Sequence, residues 1–576
     1  MVVKMVHDLL KEVIREQGVL LEKDVLDLLS SLGDSGLATK LLTSVVERSG
    51  QKLITKQVLQ QHGAIVHETV KQIPDGERQI AEKTLVKLGV QIEVTKEREV
   101  VGEGNKAALS EKADFAERNQ LSVEQSSRTR LSSGKSVGPV EGVDYEIRMA
   151  PTLPDRKLEV KDFTRHFRGR YQQMQRLLMQ RPELQSSLVS IGKLSGERQS
   201  VSVIGVVREK RITKNKNLIL KIEDLTGEVL MLAKPDREDV FAVAEEAQLD
   251  DVIGIRGSGN QEMLFAHELF FPDSFLLEKT RFENETCVAF ISDVHCGSNN
   301  HLGKEMERMI GWLNSDDETA KKIQYLFVVG DTVDGVGVFP GQENVLDLMT
   351  MEEQYEQLAG YLKQVPKHVT IFLCAGQHDA CRVAEPQPLV DEKYAAALYG
   401  IENLKLVTNP CYVNLLEGDK EFKILMYHGA SIHSFIGEIR ELRMMKAHQT
   451  PAKAVCHMLK RRHLAPVHGS AVYIPQGDAD PMMISEVPDL LCTGEVHRLD
   501  VETYHGTLII TGSCWQKQTE FEEKVGNVPD PCKVPVLNLK TGALKVFDFG
   551  IDDNPEASNS EESEGFSSEG GEDGGD

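Results

Sequence analysis

The sequence predicts an α/β protein of several domains: a small N-terminal helical module, a small β-barrel and a larger, layered α/β domain. Three observations support this prediction. A chain of 576 residues is too long for one hydrophobic core. Short β-rich runs separated by turn residues occupy residues 201–256. Five apolar runs, each followed by a polar loop, lie between residues 287 and 500, with helical patterns between them.

Residues 1–75 are predicted to form the helical module. Apolar residues repeat at helical spacing in three segments, around Leu9, Val25 and Leu42. Such modules more often bind a partner than carry out chemistry. Residues 76–159 are largely polar and charged and lack this periodicity, so we expect a flexible linker there.

Composition and charge limit the possible functions. The net charge of −24 argues against a protein that coats nucleic acid through bulk electrostatics. Residues 551–576 contain ten Asp or Glu and no Lys or Arg, and are predicted to form a disordered acidic tail. No apolar stretch is long enough to span a membrane and no signal peptide is evident, which favours a cytoplasmic protein without membrane contact. The nine cysteines, irregularly spaced, predict buried thiols rather than disulfides or a structural zinc site.

Residues 160–280 are predicted to hold a basic helix and a barrel. Asp162 could cap the helix, and about five strands in some 75 residues fit an OB-like barrel. Basic residues on the helix and on the first hairpin could contact nucleic acid or simply lie in solvent. The predicted strands are Val201–Val207, Leu218–Ile222, Val229–Leu232 and Val252–Arg256. The basic residues are Arg165, Arg168, Arg170 and Arg176 on the helix, and Arg208, Lys210, Arg211, Lys214 and Lys216 on the hairpin.

Residues 283–550 contain the five apolar runs, each leading into a loop of possible metal ligands or acid–base groups. Functional residues of layered α/β proteins gather where strands end, so five such loops predict one shared site. A single loop of this kind would be weak evidence. The runs and their loops are Val288–Ile291 with Ser292–His295, Tyr325–Val329 with Gly330–Asp334, Val369–Leu373 with Gly376–Asp379, Phe422–Met426 with Tyr427–Gly429, and Asp489–Leu491 with Gly494–His497.

Carboxylates and imidazoles in such loops suit metal-assisted hydrolysis of phosphoesters. A shared carboxylate can hold two ions about 3.5–4 Å apart. The ion pair binds the phosphate and lowers the pKa of a bridging water, while a nearby imidazole can protonate the leaving oxygen.

The five motifs resemble those of the calcineurin-like metallophosphoesterases: D-x-H, G-D-x-x-D, G-N-H-D, a single His, and G-H-x-H. More narrowly, the runs Gly335–Gln342, Gly376–Pro388 and Trp515–Phe521 are similar to the small subunits of the archaeal family D DNA polymerases. The resemblance covers residues 160–549 well, and the N-terminal region only in layout. It implies a calcineurin-like fold for residues 283–550 and a 3′-to-5′ exonuclease that degrades single-stranded DNA ends for proofreading.

The resemblance also implies roles for individual residues. The first metal would be bound by Asp293, His295, Asp331 and His497, and the second by Asp331, Gln377, His428 and Glu495. His378 would be the general acid and phosphate contact, Asp379 would orient His378, and Arg382 would face the phosphate.

Two second-metal positions depart from the family pattern. Gln377 stands where Asn is usual, and its amide oxygen is displaced by one methylene. Glu495 stands where His is usual, and its negative charge favours Mn or Mg over Zn. Because both residues can still bind metal, the second site is either retuned or decaying. The other family ligands are all retained, which favours a working site.

The expected partners are a separate large catalytic subunit in a heterodimer, single-stranded or primer–template DNA, and a sliding clamp or other replication proteins. No Gly-rich nucleotide loop is evident, so the polymerase chemistry is assigned to the large subunit. Two alternatives stay open. One is a non-catalytic scaffold with a degenerate phosphoesterase domain. The other is a free-standing phosphatase, which would not need the preceding domains.

Overall fold

The computed structural model describes residues 143–152 and 157–550, the strand at 132–135 and a few residues of the N-terminal region. The chain divides into two compact units, residues 1–106 with 519–527, and residues 107–518 with 528–576. In the first unit, Leu20–Leu21 (β1) and Leu53–Ile54 (β2) pair in parallel, and Glu520–Val525 forms a short helix. Val25 and Leu42 are helical and buried, whereas the β1–β2 pair lies in a segment for which the sequence predicted only helices. The rest of the helical module and the acidic tail lie outside the described residues.

The C-terminal part of the predicted linker forms two strands of the second unit. Ser132–Lys135 (β3) and Val143–Met149 (β4) are antiparallel, and β4 also pairs with Cys411–Glu417. Tyr145 and Ile147 of β4 are buried in the core. The prediction of a flexible linker is therefore wrong for this segment. Two alternating apolar residues are too short a pattern to reveal a strand whose partner lies far away in the sequence.

The basic helix, Val160–Leu178 (α1), begins three residues earlier than a cap at Asp162 would place it. Glu159 is its N-cap, and Asp162 accepts the Glu159 backbone N–H at 2.8 Å from within the first turn. Tyr171 and Met174 are buried as expected. The prediction of Asp162 as the cap is wrong because its carboxylate closes the turn from the third helical position.

Two of the four arginines of α1 are engaged within the chain. Arg170 is buried because its Nε donates to Asp480 at 2.6 Å, and His166 Nε2 lies 3.2 Å from the same carboxylate. Arg165 forms an exposed ion pair with Asp478. These contacts leave only part of the basic face available for other partners.

A closed five-stranded barrel follows, as the sequence predicts. After the short helix Pro182–Gln185 (α2) come Gln199–Ile212 (β5), Leu218–Glu223 (β6), Glu228–Ala233 (β7), Glu238–Glu246 (α3), Val252–Gly259 (β8) and Met263–Phe270 (β9). The strand order is β5-β6-β7-β9-β8, and only β7 and β9 are parallel. Alternate apolar residues fill the interior.

The larger domain contains two β-sheets. The first is formed by Cys287–Ile291 (β10), Ile323–Val329 (β11), Thr370–Cys374 (β12), Leu404–Val407 (β13), Lys533–Asn538 (β19) and Leu544–Asp548 (β20). Its order is β13-β12-β11-β10-β19-β20, with β10 to β13 parallel. The second is formed by β3, β4, Cys411–Glu417 (β14), Lys420–Met426 (β15), Leu490–Thr493 (β16), Asp500–Tyr504 (β17) and Thr507–Thr511 (β18). Its order is β17-β18-β16-β15-β14-β4-β3, with β15, β16 and β18 parallel.

The two sheets pack face to face, with helices on both outer faces. One apolar cluster joins them, and in it the Tyr145 ring lies 5.2 Å from that of Phe372. Two other clusters place helices on the outer faces. The first sheet packs against Gly303–Leu313 (α4), Met351–Leu362 (α5) and Glu392–Tyr399 (α6). The second packs against Ile432–Glu438 (α7), Arg440–Met444 (α8) and Ala452–Arg461 (α9). Because both faces are covered, β10, β11 and β12 are buried throughout and almost entirely apolar, with Gln324 and Thr370 as their polar members.

Buried ion pairs fix the barrel to the larger domain. Arg461 Nε lies 3.0 Å from Asp251, and both side chains are buried. Glu246 contacts Lys460 and His457 at 2.5 and 2.9 Å. Removing one member of such a pair would leave an uncompensated buried charge, so the two domains form one structural body.

All nine cysteines lie among the described residues; no disulfide joins them, and seven are buried. The prediction of buried thiols is confirmed for those seven. Within the part of the chain that the structure describes, no helix is both long and apolar enough to cross a membrane.

The burial of β4 generates a stability prediction. Ile147→Ala should lower the free energy of unfolding by about 2–5 kcal/mol, because it removes a side chain from between the sheets. Val160→Ala is the matched control, since Val160 is 83% exposed and its truncation should change stability by less than about 0.5 kcal/mol. Urea unfolding of the two variants measures the difference. Equal stabilities would contradict a structural role for β4.

Candidate metal centre

The candidate site lies where parallel strands of both sheets end. Three of its loops follow β10, β11 and β12 of the first sheet, and two follow β15 and β16 of the second. The predicted residues in these loops are Asp293 and His295 after β10, Asp331 after β11, Gln377 and His378 after β12, His428 after β15, and Glu495 and His497 after β16. The five loops therefore converge from two sheets.

The backbone of these loops is strained. Asp293, His295, Asp331, Glu495 and His497 have φ values of 51°, 50°, 45°, 73° and 56°. Left-handed backbone at a residue other than glycine costs about 1–3 kcal/mol and gathers at functional sites. Five of the twelve such residues in the described chain belong to this one site. With this backbone conformation, the five side chains all lie at the same site.

Two glycines allow the site loops to approach the carboxylates of Asp331 and Asp293 closely. A Cβ at Gly376 would lie 2.2 Å from Asp331 Oδ1, and one at Gly494 would lie 2.6 Å from Asp293 Oδ2. No side chain fits at these distances. The glycines of the third and fifth motifs are therefore needed for close approach.

Two groups of donors could hold metal ions. In the first, Asp293, His295 and His497 bring their donor atoms within 4.8 Å of one another. His295 Nε2 lies 3.1 Å from His497 Nε2. In the second, Asp293, Asp331 and His428 meet the same criterion, with His428 Nε2 3.2 Å from Asp331 Oδ2. The carboxylate common to both groups is Asp293, whereas the family resemblance implies that Asp331 bridges the ions.

Two imidazole rings of the site have an acceptor oxygen beside Nδ1, on the side away from the other donor atoms. His295 Nδ1 lies 3.2 Å from Asp334 Oδ1, and His428 Nδ1 lies 2.9 Å from the carbonyl oxygen of Val329. The His428 hydrogen bond places a proton on Nδ1 and leaves Nε2 directed at the site, as a metal-binding histidine requires, whereas His295 Nδ1 lies near Asp334 without forming a hydrogen bond. Asp293 Oδ2 is buried without a hydrogen-bond partner, an arrangement that a cation would satisfy. The donor set therefore fits divalent ions.

The electrostatics of the site are dominated by His428 and the acidic residues around it. Burial alone would lower the pKa of His428, but Asp331, Glu495 and Asp293 outweigh it and raise this pKa well above its usual value. Burial opposes ionisation of Asp331, yet His428 and other imidazoles hold the pKa of Asp331 well below its usual value. The ring of His428 thus keeps a second proton, which a bound metal would displace.

The two positions that depart from the family pattern contact each other. Gln377 Nε2 donates to Glu495 Oε2 at 2.5 Å, and this oxygen also lies 3.3 Å from His428 Nε2. Gln377 Oε1 is buried and accepts no hydrogen bond. Glu495 Oε1 lies 3.6 Å from His433, a half-exposed residue of α7 that the sequence analysis missed. The amide of Gln377 therefore binds the carboxylate through its nitrogen.

His378 lies at the edge of the site. Its backbone N–H donates to Asp331 Oδ1 at 2.9 Å, and its Nε2 lies 3.9 Å from Asp331 Oδ2. Nδ1 lies 2.6 Å from the carbonyl oxygen of Asp334. Burial alone would lower the pKa of His378, but the Asp331 carboxylate and the Asp334 carbonyl raise it. The ring can therefore hold a proton on Nε2 toward the site.

Asp379 and Arg382 make other contacts than expected. The Asp379 carboxylate accepts hydrogen bonds from Thr332, from Gly376 N at 2.8 Å and from Tyr355 OH at 3.0 Å. It therefore joins two of the site loops. The carbonyl oxygen of Asp334, and not the predicted Asp379 carboxylate, contacts the His378 ring. The Arg382 guanidinium donates to the carbonyl oxygen of Pro386 at 3.1 Å, within its own loop.

Asp334 is a central residue that the predicted site did not include. It forms a third group with His295 and His378. Its carboxylate also accepts Gln342 Nε2 at 2.8 Å and Gln516 Nε2 at 3.2 Å. Gln342 and Gln516 belong to two runs that carry the family resemblance, so these runs support Asp334. The G-D-x-x-D motif contained the signal, since Asp334 is its second acid.

Glu385 is a second missed group. It is buried beside Tyr427, whose hydroxyl donates to Glu385 Oε2 at 3.3 Å, and its other oxygen has no hydrogen-bond partner. Burial raises the pKa of Glu385 to about 8. Protonated Glu385 therefore contributes stability that is fully present below its ordinary pKa of 4.5 and is lost as the pH rises through about 8.

This shift predicts the behaviour of Glu385→Gln, which mimics the protonated acid. The variant should match the wild type near pH 5 and exceed its stability near pH 9 by on the order of 3 kcal/mol. Urea unfolding at several pH values measures this difference. Glu356→Gln, on the exposed face of α5, is the control and should follow the wild type throughout. A constant offset at all pH values would contradict the raised pKa.

Comparison with known proteins places the chain in a family. The family of the B subunits of DNA polymerases alpha and epsilon matches residues 288–500. The chain is 37% identical over 402 residues to the DNA polymerase II small subunit of Pyrococcus furiosus, covering 68% of this chain and 64% of that one. It is 35% identical over 397 residues to the protein of the same name from Methanothermobacter thermautotrophicus, covering 68% and 80%.

The chain thus spans just under two thirds of the length of the Pyrococcus furiosus relative. Among solved structures, a Vps29 mutant from Entamoeba histolytica matches 46% of this chain and 97% of that one at 16% identity, with a TM-score of 0.20. That similarity is too low to support a conclusion. The sequence relatives agree with the resemblance that the motifs indicated, and the chain belongs to the family of archaeal DNA polymerase II small subunits.

Proposed function

We propose that this chain is the exonuclease subunit of a DNA polymerase and removes nucleotides from single-stranded 3′ ends with the help of two Mn or Mg ions. One observation supports this proposal above all. Loops from four strands, β10, β11, β15 and β16, bring two overlapping groups of carboxylates and imidazoles together, and the His428 ring is held by a hydrogen bond from its Nδ1. Phosphodiester hydrolysis is the reaction that such a donor set suits best.

The residues around the ions have separate tasks in this proposal. Asp293, His295 and His497 would hold one ion, and Asp331, Gln377, His428 and Glu495 would hold the other. When bound, the ions would act as Lewis acids on the phosphate and supply the nucleophile. His378 holds a proton on Nε2 for the leaving oxygen, and the Asp334 carbonyl keeps its ring in place. Arg382 and Asp379 would contribute by holding the site loops in place, through the contacts described above.

DNA would approach over the barrel, but fewer basic groups are available than the sequence suggested. Lys210 Nζ donates to the carbonyl oxygens of Glu245 and Ala247 at 2.5 and 2.8 Å, and so is held by the protein itself. Arg208 pairs with Glu223 at 2.8 Å. Arg211, Lys214 and Lys216 are exposed, as is Arg208 within its ion pair.

The partners in this proposal are those of a replication enzyme. A large catalytic subunit would carry the polymerase chemistry, as the name "small subunit" of the relatives suggests. A sliding clamp or other replication proteins, and a cytoplasmic location, belong to the same proposal.

A non-catalytic scaffold is the second candidate, and one observation favours it. The hydrogen bond between Gln377 and Glu495 pairs two predicted ligands of the second metal with each other in the absence of an ion. If this bond persisted in solution with Mn present, the second ion would not bind.

Metal binding and digestion distinguish the two candidates. The full chain with its large subunit should bind two Mn per small subunit and shorten a 5′-labelled single-stranded oligonucleotide from its 3′ end. Asp331→Ala should bind fewer ions and lose at least about a hundredfold in rate, since even outer-shell ligands are worth about 10–100-fold. Calorimetric Mn titration and gel analysis give the two readouts.

Asp316→Ala is the matched control, because its side chain is fully exposed and pairs with Lys321, away from the metal ligands. It should digest DNA at the wild-type rate. If the wild-type complex bound no Mn and degraded no strand, the exonuclease would be rejected and the scaffold favoured.

The contact between Gln377 and Glu495 predicts a coupled effect of reverting both. Gln377→Asn or Glu495→His alone removes the hydrogen bond that competes with the second ion for these side chains, so each should raise Mn affinity and activity. The double variant restores the family pattern and should gain little beyond the better single variant, because the competing bond is already lost in either one. The coupling energy should be about 0.5–3 kcal/mol, as for residues in contact. Additive effects on digestion rates would show that the two positions act independently.

A further inference from the structure

An apolar loop borders the metal centre, and we propose that Phe339 in this loop stacks against a nucleobase beside the scissile phosphate. The inference rests on the proposed exonuclease function and names the part of the substrate that the metal ligands do not contact. The apolar loop comprises residues 335–341 and contains no charged side chain. Val336, Val338 and Phe339 are 48%, 43% and 44% exposed.

The loop begins directly after Asp334 and lies against His378. Gly335 has a φ of 80°, and a Cβ at this position would lie 2.6 Å from the carbonyl oxygen of His378 and 2.7 Å from Val338 Cγ2. The chain therefore turns immediately beside the residue that would protonate the leaving oxygen. A nucleotide whose phosphate reaches His378 would bring its base close to this loop.

Two buried glutamines hold the loop backbone. Gln354 Oε1 accepts Gly335 N at 2.9 Å, and Gln342 Oε1 accepts Val338 N at 2.9 Å. The Gln342 side chain also donates to the Asp334 carboxylate at 2.8 Å. The backbone N–H of Gln342 donates to the Phe339 carbonyl oxygen and closes the turn. The backbone is thus fixed to the metal centre while its apolar side chains face outward.

A nucleobase is the occupant that this chemistry favours. The loop offers no charged side chain to a phosphate, whereas an aromatic ring and two valines match the flat, apolar face of a base. Base–aromatic stacking is worth about 1–3 kcal/mol per base and does not depend on sequence, as an exonuclease acting on any 3′ end needs. The loop starts at Gly335 against His378, so a strand whose phosphate reaches His378 passes beside the loop.

The test pairs a protein variant with an altered substrate. The full chain with its large subunit digests an oligo(dT) strand, and the same strand with abasic residues at its two 3′-terminal positions. Phe339→Ala should lower kcat/KM about tenfold on the ordinary strand and less than about twofold on the abasic one. Phe339→Trp should retain the wild-type rate. Val546→Ala, an exposed valine on β20, is the control.

Each other outcome overturns the inference in a recognisable way. An equal loss on both strands would mean that Phe339 acts on the catalytic residues rather than on a base. No loss on either strand, or failure of Phe339→Ala to co-purify with the large subunit, would assign the loop to another partner. If the wild type degraded neither strand, the exonuclease function itself would fail. If the wild type degraded both strands at equal rates, the stacking inference would be rejected while the exonuclease function would stand.

Discussion

The structure of the site depends on the repulsion among acidic groups buried at the ends of the parallel strands. Asp293 and Asp331 are both buried, and Glu495 adds a third carboxylate beside His428. Such a cluster is unfavourable unless cations or protons balance it. In the protein alone, part of that balance comes from the protonated ring of His428, and the proposed ions would take over this role. The strained loops and the glycines that flank them are the means by which the chain holds the acids together.

Much of this site could be predicted from the sequence because its signals are local. Each apolar run is followed within a few residues by its ligand, so the strands β10, β11, β12, β15 and β16 and their loops were found without knowledge of the sheets. The helical patterns between the runs are local in the same sense: in Met351–Leu362, the capping residue and the apolar face are adjacent in sequence.

What the sequence could not show depends on distant partners. The β4 strand pairs with β14, more than 250 residues away, and Arg170 is buried only because Asp480 lies opposite. Asp334 carries a visible motif, but its importance follows from Gln342 and Gln516, which the fold brings to it. The direct bond between Gln377 and Glu495 is of the same kind. Sequence reasoning treated them as two separate departures, and only the fold shows that they form one pair.

The pair has a consequence for the choice of metal. Replacing a neutral histidine with Glu495 adds one negative charge to the second group, which strengthens attraction for any cation. The same charge weakens the pull of a bound ion on the phosphate, and oxygen donors suit Mn or Mg better than Zn. Gln377 moderates this effect, since its amide hydrogen already binds one Glu495 oxygen. For an ion to be bound there, the Gln377 amide must turn its unpaired oxygen inward and release that carboxylate. Such an exchange would lower the affinity for the second ion while leaving the site able to bind it, which is what the proposed exonuclease requires of a retuned second site.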